Sequence, residues 1–307
     1  MTTITASAIN AVLKLCIMGL VGFIAAKLGC LTEERTGALS KVLSDILLPA
    51  VILNACFSTY DPSRNLGYFF VLIGSFVIIG GTILICFPIF RRKGNPEWAN
   101  DITSAAVSNA GFVGIPLISL MGDSDALFYI ASYVLIVNVF LWTYSVLSYK
   151  EEMSLQSVKA LFKSPTVIAI IVGVIIYFGR IPVPTIVGSA VSGIGAATGP
   201  ISMFVTGAIL SRTDIIGVMK KLNTYLVLII KLAFQPMIAI IIAKLISVPS
   251  AAAAALIIGA ACPAPTLTAV FSLLYGKDEK YAAGLLSLTM VLCVVAIPAA
   301  LAIYEML

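Results

Sequence analysis

The chain has 307 residues, of which 60% are hydrophobic and only 11% are charged, and its mean hydropathy is +1.09. Soluble domains have about a quarter charged residues, so a water-soluble fold of this size could not bury so much apolar surface. The sequence contains no histidine, which excludes histidine-based acid–base catalysis, histidine metal ligation and Ser-His-Asp triads. The composition therefore predicts a polytopic integral membrane protein.

Ten apolar runs along the chain are candidate membrane spans. The sixth run is short, and the seventh is rich in Gly, Ser, Ala and Thr. Because the N-terminus has no basic region and no small-residue cleavage site follows the first run, that run is predicted to be a span and not a signal peptide. The spans are numbered 1 to 10 in chain order and lie at about 6–29, 39–57, 67–90, 99–121, 126–148, 165–179, 184–210, 223–246, 251–274 and 281–304.

The net charge of +5 arises mainly from basic residues in short loops, which indicates membrane topology and not nucleic-acid binding. Loops after even-numbered spans contain only Arg64, Arg180 and Lys244. Loops after odd-numbered spans contain Lys27, Arg35, Lys41, Arg91, Arg92, Lys93, Lys150, Lys159, Lys163, Arg212, Lys220, Lys221, Lys277 and Lys280. Since positively charged loops stay in the cytoplasm, both termini are predicted to lie outside.

The sequence predicts no enzyme active site, no cofactor and no metal site. It has no HExxH motif, no GxSxG motif and no deep pair of carboxylates. Its six cysteines are scattered without a CxxC pair, so we expect small buried apolar residues and not disulfides or metal ligands.

Four prolines indicate an internal repeat. Pro49 in span 2 is followed about half a chain length later by Pro200 in span 7, and Pro116 in span 4 is followed at a similar distance by Pro263 in span 9. Five spans in each half would invert the second half relative to the first, as in many secondary transporters. The predicted units are a first five-helix repeat at 1–150 and a second at 151–307.

Span 4 contains the segment 109–117, NAGFVGIPL, in which Gly111, Gly114 and Pro116 disfavour a regular helix. One interpretation is a proline kink with glycines for close packing. The other is a broken helix that lines a cavity inside the protein.

Span 9 favours the second interpretation, because Pro263 and Pro265 interrupt it next to the hydroxyl of Thr266. Paired interruptions in two halves indicate a binding site near the membrane midplane. The positive N-terminal ends of two half-helices that cross there would favour an anion.

Polar residues inside the spans remain open to more than one interpretation. Lys231 and Gln235 share a face of span 8. Lys231 is a candidate for attracting a substrate carboxylate. Alternatively, it is a structural partner for a buried carbonyl or acid, or its side chain extends to the membrane interface. Asn54 in span 2 either lines a cavity or bonds a neighbouring helix. Asp101, near the cytoplasmic end of span 4, is interpreted as a solvated interface residue, with proton coupling as the alternative.

These motifs resemble the auxin efflux carrier family, which includes plant auxin carriers and bacterial permeases for malate or malonate. The segment 109–117 is similar to the family's N-x-x-x-x-G-I-P-L break, and the likeness runs from about residue 10 to the end of the chain. The other residues that carry the likeness are Ala261, Cys262, Pro263, Phe271 and Tyr275 in the second break, Ser164, Pro165, Pro184, Pro200, Met203, Phe204 and Gly207 in the middle of the chain, and Lys231 before Pro236.

The resemblance implies ten spans in two inverted repeats, with spans 1, 2, 6 and 7 as a scaffold and spans 3–5 and 8–10 as a transport unit. Substrate would bind where the broken spans 4 and 9 cross, and Asn109, Pro116 and Pro263 match the family pattern and carry its binding role. Residues 67–90 contain no charge, and the long cytoplasmic loop of many plant members is missing. A bacterial-type permease for small carboxylates therefore fits better than a carrier of auxin itself.

The sequence thus predicts an all-α secondary transporter of the cell membrane that moves a small organic anion by alternating access. The expected substrate is a mono- or dicarboxylate such as malate or malonate, or an auxin-like acid, with a proton or sodium as coupling ion and with a homodimer as an open alternative to a monomer. A channel or receptor-like sensor on the same fold is the alternative function. The predicted substrate-binding residues are Asn54, Asn109, Gly111, Gly114, Pro116, Lys231, Gln235, Pro263, Pro265 and Thr266.

Overall fold

The computed structural model describes residues 3–150 and 162–307, and it contains helices and no strands in those ranges. Eight of these helices are long and apolar enough to cross a membrane. Two shorter apolar helices, Pro165–Phe178 and Ser250–Ala261, occupy predicted spans 6 and 9. The long helices are Ile4–Lys27, Glu33–Cys56, Arg64–Phe90, Trp98–Met121, Ser124–Lys150, Thr185–Leu210, Leu222–Ile246 and Glu279–Met306.

The eight long helices confirm predicted spans 1–5, 7, 8 and 10 as candidate membrane helices, and the span numbers are kept below. Span 2 begins earlier than predicted, at Glu33, because the Thr32 side chain caps the helix by accepting a hydrogen bond from the Arg35 N–H. Most of the predicted polar linker between spans 5 and 6 lies outside the described residues.

Large apolar side chains cover the outside of the molecule. Ile17, Ile73, Leu84, Ile186 and Val295 are each more than half exposed. In water such a surface would cause aggregation, whereas a lipid bilayer solvates it. The exposed apolar surface therefore agrees with a multi-pass membrane protein.

Three of the four π-helical turns in the described residues end two residues before a proline. A proline inside a helix has no N–H to donate and its ring collides with the preceding turn. A wider π turn relieves that collision without ending the helix. The three turns are Leu43–Leu47 before Pro49, Ala110–Gly114 before Pro116 and Ile230–Phe234 before Pro236.

Spans 1 and 7 approach each other closely through glycines. A Cβ atom on Gly207 would lie 2.0 Å from the Gly19 carbonyl oxygen, and one on Gly22 would lie 2.5 Å from the Phe204 carbonyl oxygen. Because both obstacles are backbone atoms, no rotation of a side chain could make room. Small residues hold these two helices together, as expected where lipid removes the hydrophobic drive for association.

Gly207→Ala is therefore expected to destabilise the protein by about 1–3 kcal/mol, since the added methyl group must push two backbones apart. Gly193→Ala in the same span is the matched control, because a Cβ there has nothing within 4 Å. Thermal unfolding in detergent should show a lower midpoint for Gly207→Ala alone. Equal midpoints for both variants would contradict the tight contact between spans 1 and 7.

The helix Ser250–Ala261 lies at the centre of the described protein. Its residues 252–261 are all buried, and it packs against spans 3, 5, 8 and 10. A Cβ on Gly259 would lie 2.6 Å from the Tyr133 ring, so the glycine lets that ring rest on the helix backbone. The chain segment that follows Ala261 is thereby placed deep inside the molecule.

Candidate functional site

Span 4 is broken, as the sequence predicts, but the break precedes the glycines and the proline. The helix Trp98–Ala106 ends at Val107, whose φ of −95° and ψ of 148° are extended. Residues 107–109 are not helical, and the chain then resumes as the π turn Ala110–Gly114 and the helix Ile115–Met121. The π turn accommodates Pro116, so the unwound segment falls one turn earlier.

Span 9 is broken at the corresponding place in the second half. The helix Ser250–Ala261 ends at Cys262, whose φ of −61° and ψ of 150° are extended, and the helix Leu267–Leu274 begins after Thr266. The Ala264 N–H donates to Thr289 Oγ1 of span 10 over 3.0 Å, which holds the unwound segment in place.

The two unwound segments touch each other. The backbone N–H of Asn109 donates to the Pro263 carbonyl over 2.8 Å, and Asn109 Nδ2 donates to Thr266 Oγ1 over 3.0 Å. Residues 107–109 and 262–266 together are called the crossing below. A side chain on Gly114 would meet the Cys262 sulfur at 3.1 Å, so this glycine allows the close approach.

Helix ends of both signs meet at the crossing. The second half of each span starts there, and the first N–H groups of a helix have no partner within it, which gives a partial positive charge. The first half of each span ends there, and its last carbonyls have no partner within the helix, which gives a partial negative charge. An anion is favoured at the first kind of end and a cation at the second.

Lys231 and Gln235 lie at the carbonyl end of the helix Trp98–Ala106. Gln235 Nε2 donates to the Ala106 carbonyl over 2.7 Å, and Lys231 Nζ donates to Gln235 Oε1 over 2.8 Å and to Ser108 Oγ. Lys231 is 0% exposed. Lys231 Nζ therefore contacts neutral oxygens next to the crossing, where a positive charge on this nitrogen compensates the negative helix end.

The predicted residues fall into four places. Asn109, Pro263 and Thr266 are brought together at the crossing, with the buried Pro265 between the last two. The second half of span 4 contains Gly111, Gly114 and Pro116. The C-terminal end of its first half contacts span 8 through Gln235, which in turn bonds Lys231. Asn54 lies apart from the crossing and lines a separate cavity.

The interpretation of Asp101 as a solvated interface residue is wrong. The side chain is 0% exposed. Its carboxylate accepts hydrogen bonds from Asn95 Nδ2 at 2.9 Å, Asn223 Nδ2 at 2.8 Å and the Tyr281 hydroxyl at 2.7 Å. These partners come from the loop before span 4, from span 8 and from span 10, so the three segments close over the carboxylate.

Sequence reasoning missed Ser108 and Tyr133. The Ser108 hydroxyl contacts both the Lys231 ammonium and the Tyr133 hydroxyl, the latter at 3.3 Å. Ser108 stands directly before Asn109, so its place in an unwound segment was the available signal. Tyr133 lies in span 5, and no motif in the sequence around it indicates a site residue.

Two cavities are named outer and inner below, after the predicted topology of the spans that line them. The outer cavity has a volume of about 390 Å³ and is lined by residues of spans 2, 3, 5 and 7, including Asn54 and Arg64. The inner cavity has a volume of about 10 Å³ and is lined by residues of spans 7, 9 and 10, including Thr266. The inner cavity is too small for any organic substrate and holds about one water molecule.

A comparison with protein families identifies the chain. A family model described as "Membrane transport protein" matches residues 7–157 and again residues 148–301. No curated protein matches the chain at a significant level. Because the two matches cover nearly the whole sequence, the resemblance drawn from the proline breaks is confirmed, and the chain belongs to the auxin efflux carrier family of membrane transport proteins.

Proposed function

We propose that this membrane transporter moves a small organic anion, such as a mono- or dicarboxylate, by alternating access. The crossing carries the proposal, since it brings two half-helix N-termini together with the side chains of Asn109 and Thr266. Such ends bind carboxylates through free N–H groups and the helix dipole. Malate, malonate and auxin-like acids are the substrates that this chemistry suits.

Charge near the crossing supports an anion. Among the described residues, the side-chain partners of Lys231 are the neutral Ser108 and Gln235, and the side-chain partner of Asn109 is the neutral Thr266. The Lys231 ammonium thus adds positive potential that no bonded carboxylate cancels, and a low-dielectric interior strengthens its field. Lys231 is proposed to act through this field and through its hold on Ser108, without contacting the substrate.

The packing of the spans supports two inverted five-span repeats at 1–150 and 151–307. Span 1 packs on span 7 as span 6 packs on span 2, and span 3 packs on span 4 as span 8 packs on span 9. Exchanging spans 1–5 for spans 6–10 converts the contact of spans 1 and 7 into the contact of spans 6 and 2. The same exchange converts the contact of spans 3 and 4 into that of spans 8 and 9. The same contacts agree with a scaffold of spans 1, 2, 6 and 7 and a transport unit of the other six.

The unequal cavities support alternating access. The outer cavity of about 390 Å³ has the size of a small-ligand site, whereas the inner cavity of about 10 Å³ beside Thr266 is closed to organic molecules. A carrier exposes its site to one side at a time. An open channel would instead need a continuous path past Thr266.

Transport by the purified protein in proteoliposomes tests the proposal. Radiolabelled malonate, malate, acetate and indole-3-acetate should enter with saturable rates, and excess unlabelled substrate inside should accelerate entry by exchange. Labelled choline serves as the cation control and should not enter. Flux that rises linearly with concentration would indicate a channel, and saturable binding without flux would indicate a sensor.

Imposed gradients in the same vesicles identify the coupling ion. Uptake should increase with an inward proton gradient or with an inward sodium gradient, depending on which ion is coupled. Uptake that responds to neither gradient would identify a uniporter.

Both termini are expected on the outside of the cell membrane, because the basic loops after odd-numbered spans stay in the cytoplasm. In cells, single cysteines placed at positions 2 and 306 of a cysteine-free variant should react with an impermeant maleimide. Reaction at only one terminus would require an odd number of crossings and would overturn the five-plus-five arrangement.

A further inference from the structure

The outer cavity contains one charged group, Arg64, among the described residues that line it. Its polar lining also includes Asn54, Ser58, Ser124, Thr185 and Ser189, which come from span 2, the following loop, span 5 and span 7. A cavity with one cation and several amide and hydroxyl groups is suited to a small anion with hydrogen-bonding oxygens.

Two partners hold the Arg64 guanidinium in place. One terminal nitrogen donates to Ser58 Oγ over 2.7 Å, and the other forms an ion pair with Asp125 Oδ1. Ser58 follows span 2, and Asp125 lies in the first turn of span 5, so the guanidinium connects two segments. A guanidinium fixed in this way presents a planar fork that matches the two oxygens of a carboxylate.

In the ion pair between Arg64 and Asp125, the Asp125 side chain is the more exposed partner. It is 43% exposed, whereas the side chain of Arg64 is 17% exposed. Water reaches the carboxylate side of this part-buried ion pair and screens its attraction to the guanidinium. Another carboxylate that enters the cavity can therefore replace Asp125 at a small cost in free energy.

We propose that Arg64 is an outer binding site for the substrate carboxylate, in which the substrate replaces Asp125 on the guanidinium before it reaches the crossing. The site presupposes the anion transport proposed above and adds a separate position for its substrate. Arg64 lines the cavity and Asp125 competes with the substrate, so the two residues have opposite effects on affinity.

The opposite effects distinguish substrate binding from a structural ion pair. Arg64→Gln should raise the KM for malonate at the cavity side about tenfold, because a charge-assisted pair is lost. Asp125→Asn should lower the same KM several-fold, because the guanidinium loses its competitor. Removal of either partner of a structural ion pair would instead change KM in the same direction.

Initial rates of labelled malonate uptake into proteoliposomes, with protein oriented in each direction, measure these changes. The double variant should resemble Arg64→Gln, and the KM from the opposite side should not change in any variant. Arg180→Gln is the matched control, since Arg180 lies at the same end, stacks on the Tyr60 ring at 4.5 Å and does not line the cavity. Thermal unfolding verifies that each variant is folded.

Unchanged KM values in folded Arg64→Gln would overturn the outer site and leave the proposed function intact, as would equal increases in both single variants. Wild-type protein that transports none of the tested carboxylates would overturn both proposals. Arg64→Lys separates charge from shape, and it should recover part of the affinity because it keeps the charge without the planar fork.

Discussion

Asn109→Asp is expected to weaken carboxylate binding by more than about a hundredfold, while Asn109→Ala weakens it about five- to thirtyfold. Alanine removes one buried hydrogen-bonding partner, which costs about 1–2 kcal/mol, and it keeps the backbone N–H that reaches Pro263 at 2.8 Å. Aspartate also adds a negative charge, and two like charges about 4 Å apart repel by about 4 kcal/mol at an effective dielectric constant of about 20. Calorimetry on the purified protein with malonate measures both affinities.

Asn138→Ala is the matched control for this amide. Asn138 lies in span 5, and its amide nitrogen donates to the Val134 carbonyl of its own helix over 2.8 Å. Its variant should bind malonate with wild-type affinity. If Asn109→Asp binds anions as well as Asn109→Ala does, the crossing does not hold the carboxylate.

Replacing Pro116 or Pro263 tests the half-helices at the crossing in the same way. Pro116→Ala and Pro263→Ala should each allow a more regular helix and weaken the positive end that faces the substrate. That end contributes about 0.3–1 kcal/mol when exposed and up to about 2 kcal/mol when partly buried. Normal transport by Pro116→Ala, Pro263→Ala and Asn109→Ala together would place the substrate elsewhere and leave the crossing a purely architectural feature.

Lys231→Gln is expected to weaken anion binding about thirtyfold in a protein that still folds. A unit charge about 8 Å from an anion contributes about 2 kcal/mol at an effective dielectric constant of about 20, which corresponds to that factor. Glutamine is shorter than lysine, but it can still bond to Ser108 or Gln235, so only part of the polar network is lost. Lys231→Arg should keep part of the affinity, although the larger guanidinium crowds a fully buried site.

Lys244→Gln is the control, because it removes the same charge from the exposed end of span 8, where Lys244 lies over the Tyr304 ring at 4.4 Å. Malonate titrations followed by thermal shift report folding and affinity separately. Equal affinity in wild type and folded Lys231→Gln would show that the buried lysine only supports the helix Trp98–Ala106.

The amino-acid sequence by itself determined that the chain is a helical membrane protein and where its helices are interrupted. Hydropathy depends on residues that are neighbours in the sequence, so seven of the eight long helices were predicted to within three residues at each end, whereas span 2 begins six residues earlier than predicted. Proline and glycine act on their own backbone, so a break in span 4 and a break in span 9 were predicted. The break in span 4 lies one turn earlier than predicted, because the π turn Ala110–Gly114 accommodates Pro116 without ending the helix.

The tertiary structure alone decided which polar groups meet. Asp101 is buried under donors from Asn223 and Tyr281, and Lys231 bonds Ser108 of a different span. No local pattern encodes such pairs, since the partners are more than a hundred residues apart and each looks like an isolated polar residue in its own segment. Helix packing brings them together because a buried polar group must find a hydrogen-bond partner once neither water nor lipid can supply one.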